Sequence, residues 1–327
     1  MTKSRLKKLL FQIFQIIISL GLLIFIIYKA DPAALLETLK QVELRNYFYF
    51  TGIAFIATVL MVWRWYLLLK ATLNKGGYFF KTVEYTFIGF FFNLIMPTSI
   101  GGDLVRAYLI GKNTGEMEKS SMTVLVDRFM GVASIFAIGL VSILLAFNEL
   151  QDKRLFYIIL SFFILIIISA MIFLNRKIMG FFSRIFDIFK LTGLKKRIKE
   201  FYEGIYVFKQ HKLSIINVFI LSIIMQLINV YSIFVLSKGM NIQVSFYYFL
   251  IFIPLIYVLQ MLPISISGIG VRENSFVFFL GLVGVEKDSA LLLSLLYFSF
   301  CIITGIIGAV VTMFSKFNYK QIEENNE

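Results

Sequence analysis

The amino-acid sequence predicts an all-α polytopic membrane protein with about eight helical hydrophobic segments. Two stretches are broken into re-entrant helix pairs that form an inverted repeat. Three observations carry this expectation. First, 59% of the 327 residues are hydrophobic, mean hydropathy is +0.85, and only 16% are charged. A soluble domain runs about 45–50% apolar, and a soluble chain of this size needs more charge to cover its surface. The bilayer is therefore the solvent for most of the chain. Second, apolar runs of about 20 residues, enough to span a hydrocarbon core of about 30 Å, recur along the sequence. Third, Lys and Arg collect on one side once those runs are threaded through a membrane.

The elements follow in order. MTKSRLKKLL leads into an apolar run ending near Tyr28. That run is longer than the roughly 7–15 residues of a signal-peptide core and no A-x-A site follows, so it predicts a retained first transmembrane helix. Residues 31–45 are polar enough for an interfacial helix, with Asp31 as N-cap and Pro32 at the first position. Single spans are predicted over 47–69, 120–147, 155–174, 213–237 and 290–314. Residues 82–110 are interrupted by PTSIGG at 97–102. The legs on either side would be roughly 20 Å long, too short to cross. Residues 245–283 carry Pro254, Pro263 and SGIG at 267–270. Their legs are longer, and both the re-entrant and the two-span arrangement stay open. The whole of 1–327 reads as one integral membrane domain.

Charge selects the threading. With the N-terminus inside and both broken stretches entering and leaving on one side, inside segments hold 21 of the 32 Lys/Arg and outside segments hold 7. Both termini are then cytoplasmic, including a short tail at 315–327. Residues 175–212 form a basic loop that interleaves Phe, Ile and Leu with Lys and Arg, the pattern of an amphipathic helix on an anionic leaflet. This accounts for the net charge of +13 without nucleic acid. The single cysteine, Cys301, excludes an intramolecular disulfide and a Cys-rich metal site. The single His211 lies in the basic loop and is given no role. Neither a metal nor a cofactor is expected.

Four bases (Arg64, Arg106, Arg128, Arg272) and four acids (Glu84, Asp103, Asp127, Glu273) fall within apolar stretches. Each would cost about 2.5–3.5 kcal/mol at the bilayer centre, so each must be paired or face a polar cavity. Arg64, between two tryptophans near a helix end, is expected to snorkel. Glu84 lies one turn from Lys81. Asp103 and Arg106 share a helix face at i, i+3. Asp127 and Arg128 point about 100° apart, so they require partners on other helices or the first turns from the cytoplasm.

PTSIGGDLVR at 97–106 aligns without gaps with PISISGIGVR at 263–272. Pro97/Pro263, Ser99/Ser265, Ile100/Ile266, Gly102/Gly268, Val105/Val271 and Arg106/Arg272 match. The two copies enter from opposite faces, as in transporters whose broken helices meet near the midplane. Proline supplies the break, glycine a close backbone approach, serine a hydroxyl and arginine a fixed cation with a fork of donors. Opened helix N-termini favour anions. Together these describe a site for an anionic group such as phosphate. The plainer alternative is that Pro and Gly only let re-entrant helices pack.

N-x-x-x-P-x-x-x-G-G-D-x-x-R at 93–106, Asp-Arg at 127–128 and P-x-S-x-S-G-x-G-x-R-E at 263–273 resemble the lysylphosphatidylglycerol synthase transmembrane family, a flippase-like domain. By that resemblance the motif residues are Asn93, Pro97, Gly101, Gly102, Asp103, Arg106, Asp127, Arg128, Pro263, Gly268, Gly270, Arg272 and Glu273. The resemblance implies a bacterial or archaeal cell (inner) membrane protein that handles lipids: aminoacylated phosphatidylglycerol, other anionic phospholipids, or polyprenyl-phosphate-linked lipids. Full synthases carry a soluble aminoacyl-tRNA-dependent transferase domain. This chain ends soon after its last helix, so lysyl transfer by it alone is not expected.

Lipid translocation is thus the leading expectation. Arg106 and Arg272 would meet phosphate, Asp103 and Glu273 would orient them or meet a cationic headgroup, and Ser99, Ser265, Asn93, Asp127 and Arg128 would complete the site. Membrane lipids are the expected partners, with a separately encoded lipid-modifying enzyme as an assembly partner. A small-solute or ion-coupled transporter is the alternative, and an enzyme on a lipid-linked sugar ranks lowest.

Overall fold

The computed structural model describes residues 37–40, 42–73, 77–96, 101–145, 157, 160, 161, 164, 212–261, 265 and 267–315. Among these, the ordered elements are helices: α1 (Leu44–Leu73), α2 (Phe79–Ile95), α3 (Gly101–Thr114), α4 (Met117–Leu145), α5 (Lys212–Lys238), α6 (Phe246–Met261), α7 (Val271–Gly281) and α8 (Lys287–Phe314). The expected first helix, the polar segment before residue 37, nearly all of 155–174, the basic loop and the tail lie outside the described residues. So do Pro97, Ser99 and Pro263.

Four helices, α1, α4, α5 and α8, are long and apolar enough to cross a membrane. They match the spans expected at 47–69, 120–147, 213–237 and 290–314. The chain is a multi-pass membrane protein. Large apolar side chains remain exposed along these helices, Ile56, Val141, Ile220 and Ile306 among them, as lipid-facing surfaces require.

The other four helices have 17, 14, 16 and 11 residues. At about 1.5 Å per residue they reach roughly 25, 21, 24 and 16 Å, short of a core of about 30 Å. The second broken stretch therefore resembles the first in having two short legs, shorter than its sequence suggested. Pro254 does not break α6, which continues through it.

The bundle is organised about α4, which packs on α1, α3, α5 and α6. The most extensive pairings are α1 with α5 and α2 with α8. Lipid tails give no hydrophobic drive between helices, so close approach depends on small residues. A Cβ at Gly308 would lie 2.0 Å from the carbonyl oxygen of Phe87, and one at Gly305 2.0 Å from Leu94 Cδ1. Those two glycines let α8 lie directly on α2. In the same way, a Cβ at Gly102 would lie 2.0 Å from the oxygen of Gly89, which fixes the α2–α3 hairpin.

Candidate functional site

The intramembrane charges form two groups. In the first, acids and bases alternate along a chain through three helices, with a serine of a fourth at its end. Arg64 of α1 donates from Nε to Asp127 Oδ1 at 2.7 Å, and from Nη1 to Ser222 Oγ of α5 at 3.1 Å. Arg106 of α3 donates from Nη2 to Asp127 Oδ2 at 3.2 Å, and its Nη1 lies 3.5 Å from Asp103 Oδ1. Arg128 Nε pairs with the other oxygen of Asp103. Arg64, Asp103, Arg106 and Asp127 are all buried, whereas the Arg128 side chain is 34% exposed.

This group satisfies the requirement that buried charge be paired. Asp127 and Arg128 find partners on other helices, one of the two outcomes their angular separation left open, and Asp103–Arg106 is the expected i, i+3 pair. Arg64 does not snorkel. It is buried because Asp127 neutralises it across the bundle, 63 residues away in sequence. Glu84 pairs with Lys81 at 2.8 Å, as its spacing implied.

Aromatic and small residues shape the place for Arg106. Its guanidinium carbon lies 4.3 Å from the centre of the Trp65 ring, a cation–π arrangement. Trp65 is fixed by its indole N–H to Thr123 Oγ1 at 3.1 Å. Gly89 leaves room for the arginine stem, since a Cβ there would sit 2.8 Å from Arg106 Cδ.

The second group surrounds the turn before α7. Ser267, Gly268 and Gly270 all have positive φ, at +50°, +74° and +81°. Glycine adopts that region freely, and a serine there is uncommon. Gly270 N–H donates to Glu273 Oε2 at 2.6 Å, and Glu273 Oε1 pairs with Arg272 Nη2. The first turn of α7 thus holds its own carboxylate. That occupies the helix terminus which the sequence had suggested for an external anion. The Arg272 guanidinium lies 4.0 Å from the centre of the Phe298 ring of α8. Arg272 Nε is buried without a hydrogen-bond partner, as is Ser265 Oγ.

Beside this turn lies a cavity of about 380 Å³. Arg272 and Ser267 line it, together with Asn93 of α2, Asn229 of α5, Gln260 of α6 and Tyr297 of α8. Cys301 lines it too. Arg106 does not, so the repeat's two arginines occupy separate settings. Their helical registers also differ. Arg106 is the sixth residue of α3 and Arg272 the second of α7.

Asn93 joins the two copies of the repeat. Its side-chain oxygen accepts the Gly102 N–H at 2.8 Å, and its backbone oxygen accepts the Ser267 hydroxyl at 2.6 Å. Gly101, also buried, sits against Met96 at the start of α3, where a Cβ would lie 2.4 Å from the methionine sulfur.

The family described as the lysylphosphatidylglycerol synthase TM region matches residues 12–308. The chain belongs to that family. Over 214 residues this family member is 25% identical to the UPF0104 membrane protein MJ1078 of Methanocaldococcus jannaschii, a stretch covering 63% of this chain and 86% of that one. No solved structure matches it.

Within the family motifs, the structure brings Asp103, Arg106, Asp127 and Arg128 into one cluster. It gathers Asn93, Gly268, Gly270, Arg272 and Glu273 at the other. Residue patterning missed Tyr257, Gln260 and Tyr297, because isolated polar residues in an apolar helix carry no spacing signal. It missed Arg64 because flanking tryptophans suggested an interface.

Proposed function

We propose that this protein binds and translocates membrane lipid, taking an anionic headgroup into the cavity beside Arg272 while the acyl chains stay in the bilayer. The observation that carries this reading is Arg272, a buried cation that lines a partly polar cavity inside a multi-pass membrane protein and whose Nε has no hydrogen-bond partner. A buried donor without a partner is costly, by about 1–3 kcal/mol and more for a charged group. A phosphate oxygen would repay that cost. The strained serine in the lining fits the same reading, because unusual backbone conformations persist where function holds them.

On this reading Arg272 and Asn93 meet the ligand, and Glu273 orients Arg272. Arg106, Asp103, Asp127, Arg128 and Arg64 hold α1, α3, α4 and α5 in place around the cavity. Both termini face the cytoplasm of a prokaryotic cell, by the distribution of Lys and Arg. A separately encoded lipid-modifying enzyme would supply or consume the lipid.

The test is transfer of fluorescent phosphatidylglycerol between leaflets of reconstituted vesicles, read by dithionite quenching. Wild-type protein should accelerate transfer, and Arg272→Ala should slow it about tenfold or more, the effect of losing one charge-assisted bond. Transfer no faster than in protein-free vesicles refutes the proposal.

A further inference from the structure

Three acids are buried among the described residues: Asp103, Asp127 and Glu273. Asp127 lies between Arg64 and Arg106, and Asp103 between Arg106 and Arg128. A proton added to either would take the counter-charge from two arginines, and a buried charge is stable only where it is paired. Glu273 has a different setting. One of its oxygens pairs with Arg272, and the other accepts the Gly270 N–H at 2.6 Å. A proton there releases one arginine, and the neutral carboxyl still accepts from the backbone. Of the three, Glu273 is the acid whose protonation disturbs the fewest of these ion pairs.

Arg272 joins this carboxylate to the cavity. It lines the cavity yet is only 2% exposed, with its guanidinium engaged by Glu273 and lying against the Phe298 ring. An anion entering the cavity must therefore compete with Glu273 for the same arginine. The pair is neutral while the cavity is empty. With an anion on Arg272 and a proton on Glu273 it is neutral again. The anion alone would leave one uncompensated negative charge inside the bundle, which a low-dielectric setting penalises.

The surroundings leave this exchange to Glu273. Its helix packs against α6 and α8. The described part of α6 carries no charged residue, and α8 carries Lys287 and Asp288 in its first turn, beyond the far end of α7. The other titratable groups these helices bring to the cavity are Tyr257, Tyr297 and Cys301. Phenols and thiols have reference values of about 10 and 8.5, so they keep their protons at and below neutral pH.

We infer that Glu273 is a proton-binding site coupled to the cavity: an anion is taken onto Arg272 together with one proton on Glu273. This rests on the anion-binding reading of the cavity and adds a co-substrate to it. By linkage, a proton that tightens anion binding is itself bound more tightly once the anion is in place. A proton gradient across the membrane then biases the direction in which a bound anion moves.

The full-length protein in detergent is titrated with phosphatidylglycerol, and separately with glycerophosphoglycerol, the same phosphodiester without acyl chains. Calorimetry in two buffers of different ionisation enthalpy counts the protons taken up. Wild-type protein should take up about one proton per ligand bound, with affinity rising by up to about tenfold for each pH unit of acidification. Glu273→Gln imitates the protonated carboxyl. It should bind without proton uptake, at every pH as tightly as wild type does at low pH.

Binding of phosphatidylglycerol with no proton taken up overturns the coupling and leaves lipid binding standing. Proton uptake that persists in Glu273→Gln overturns the assignment to that residue. Proton-linked binding of glycerophosphoglycerol as tight as that of the lipid supports the coupling and overturns a lipid as the source of the anion. Binding of neither ligand at any pH overturns the anion reading of the cavity and the coupling together. If Glu273→Gln does not fold, Glu273→Asp keeps a carboxylate one methylene shorter and should move the pH midpoint of binding; an unchanged midpoint overturns the assignment.

Discussion

Replacing Asp127 by asparagine should destabilise the protein more than any substitution at an exposed charge. Asp127 accepts from two buried arginines, at 2.7 Å from Arg64 and 3.2 Å from Arg106. Asparagine keeps the shape but removes the negative charge between them. Two charge-assisted hydrogen bonds at about 1.5–3 kcal/mol each are weakened or lost. The total agrees with the roughly 3–5 kcal/mol for breaking a buried ion pair from one side. Arg64→Met should cost less, about 1.5–3 kcal/mol, because Asp127 keeps Arg106 and Ser222 keeps its own bond to the Val218 carbonyl. The double variant should cost less than the sum by about 1 kcal/mol or more, since the two residues share one interaction. Reversible unfolding by SDS in mixed micelles, followed by tryptophan fluorescence, measures all three. Additive effects, or an Asp127→Asn cost within about 0.5 kcal/mol as at an ordinary surface site, would refute the view that this cluster clamps the bundle.

Three further outcomes follow from the same contacts. Gly102→Ala should disrupt the α2–α3 hairpin by about 1–3 kcal/mol or more, because its Cβ would meet backbone at 2.0 Å, whereas Gly52→Ala, with nothing within 4 Å, should be neutral or stabilising; thermal melts read by size-exclusion chromatography compare them. Trp65→Phe should cost about 1 kcal/mol for the lost bond to Thr123, and Trp65→Ala about 3–5 kcal/mol, because only the second removes the ring over Arg106; the SDS unfolding midpoint distinguishes them. Asn93→Asp keeps an acceptor for the Gly102 N–H but places a carboxylate in the cavity wall, so transfer of fluorescent phosphatidylglycerol in the dithionite assay should slow.

The membrane spans were legible because a continuous apolar run has one solvent it can occupy. The pairing of Asp103 with Arg106, and of Lys81 with Glu84, was legible because helical spacing alone brings those residues together. Arg64 with Asp127 was not, since their contact joins different helices and depends on how α1 and α4 pack. The repeat between 97–106 and 263–272 was visible in residue identity but not in helical register. Glycine at 101 and 102 lets α3 begin before Arg106, whereas left-handed backbone at 267, 268 and 270 delays α7 until just before Arg272. The cavity was illegible for a different reason. Its polar wall comes from single residues on several helices, each unremarkable in its own segment.

Asn93 sets a mechanical condition on any movement of this protein. One amide and one carbonyl on the same residue bind the start of α3 and the turn before α7 to the end of α2. Rocking one repeat against the other would have to sever one of those bonds while its replacement partner was still absent. A motion that keeps both must carry α2 with the two breaks as a single block. The cavity then opens along its remaining walls, where Met61 of α1, Ile135 of α4 and Thr304 of α8 face it. On the proposed lipid translocation, those three helices, long enough to reach both leaflets, would be the surfaces that slide, with the turn before α7 as the pivot.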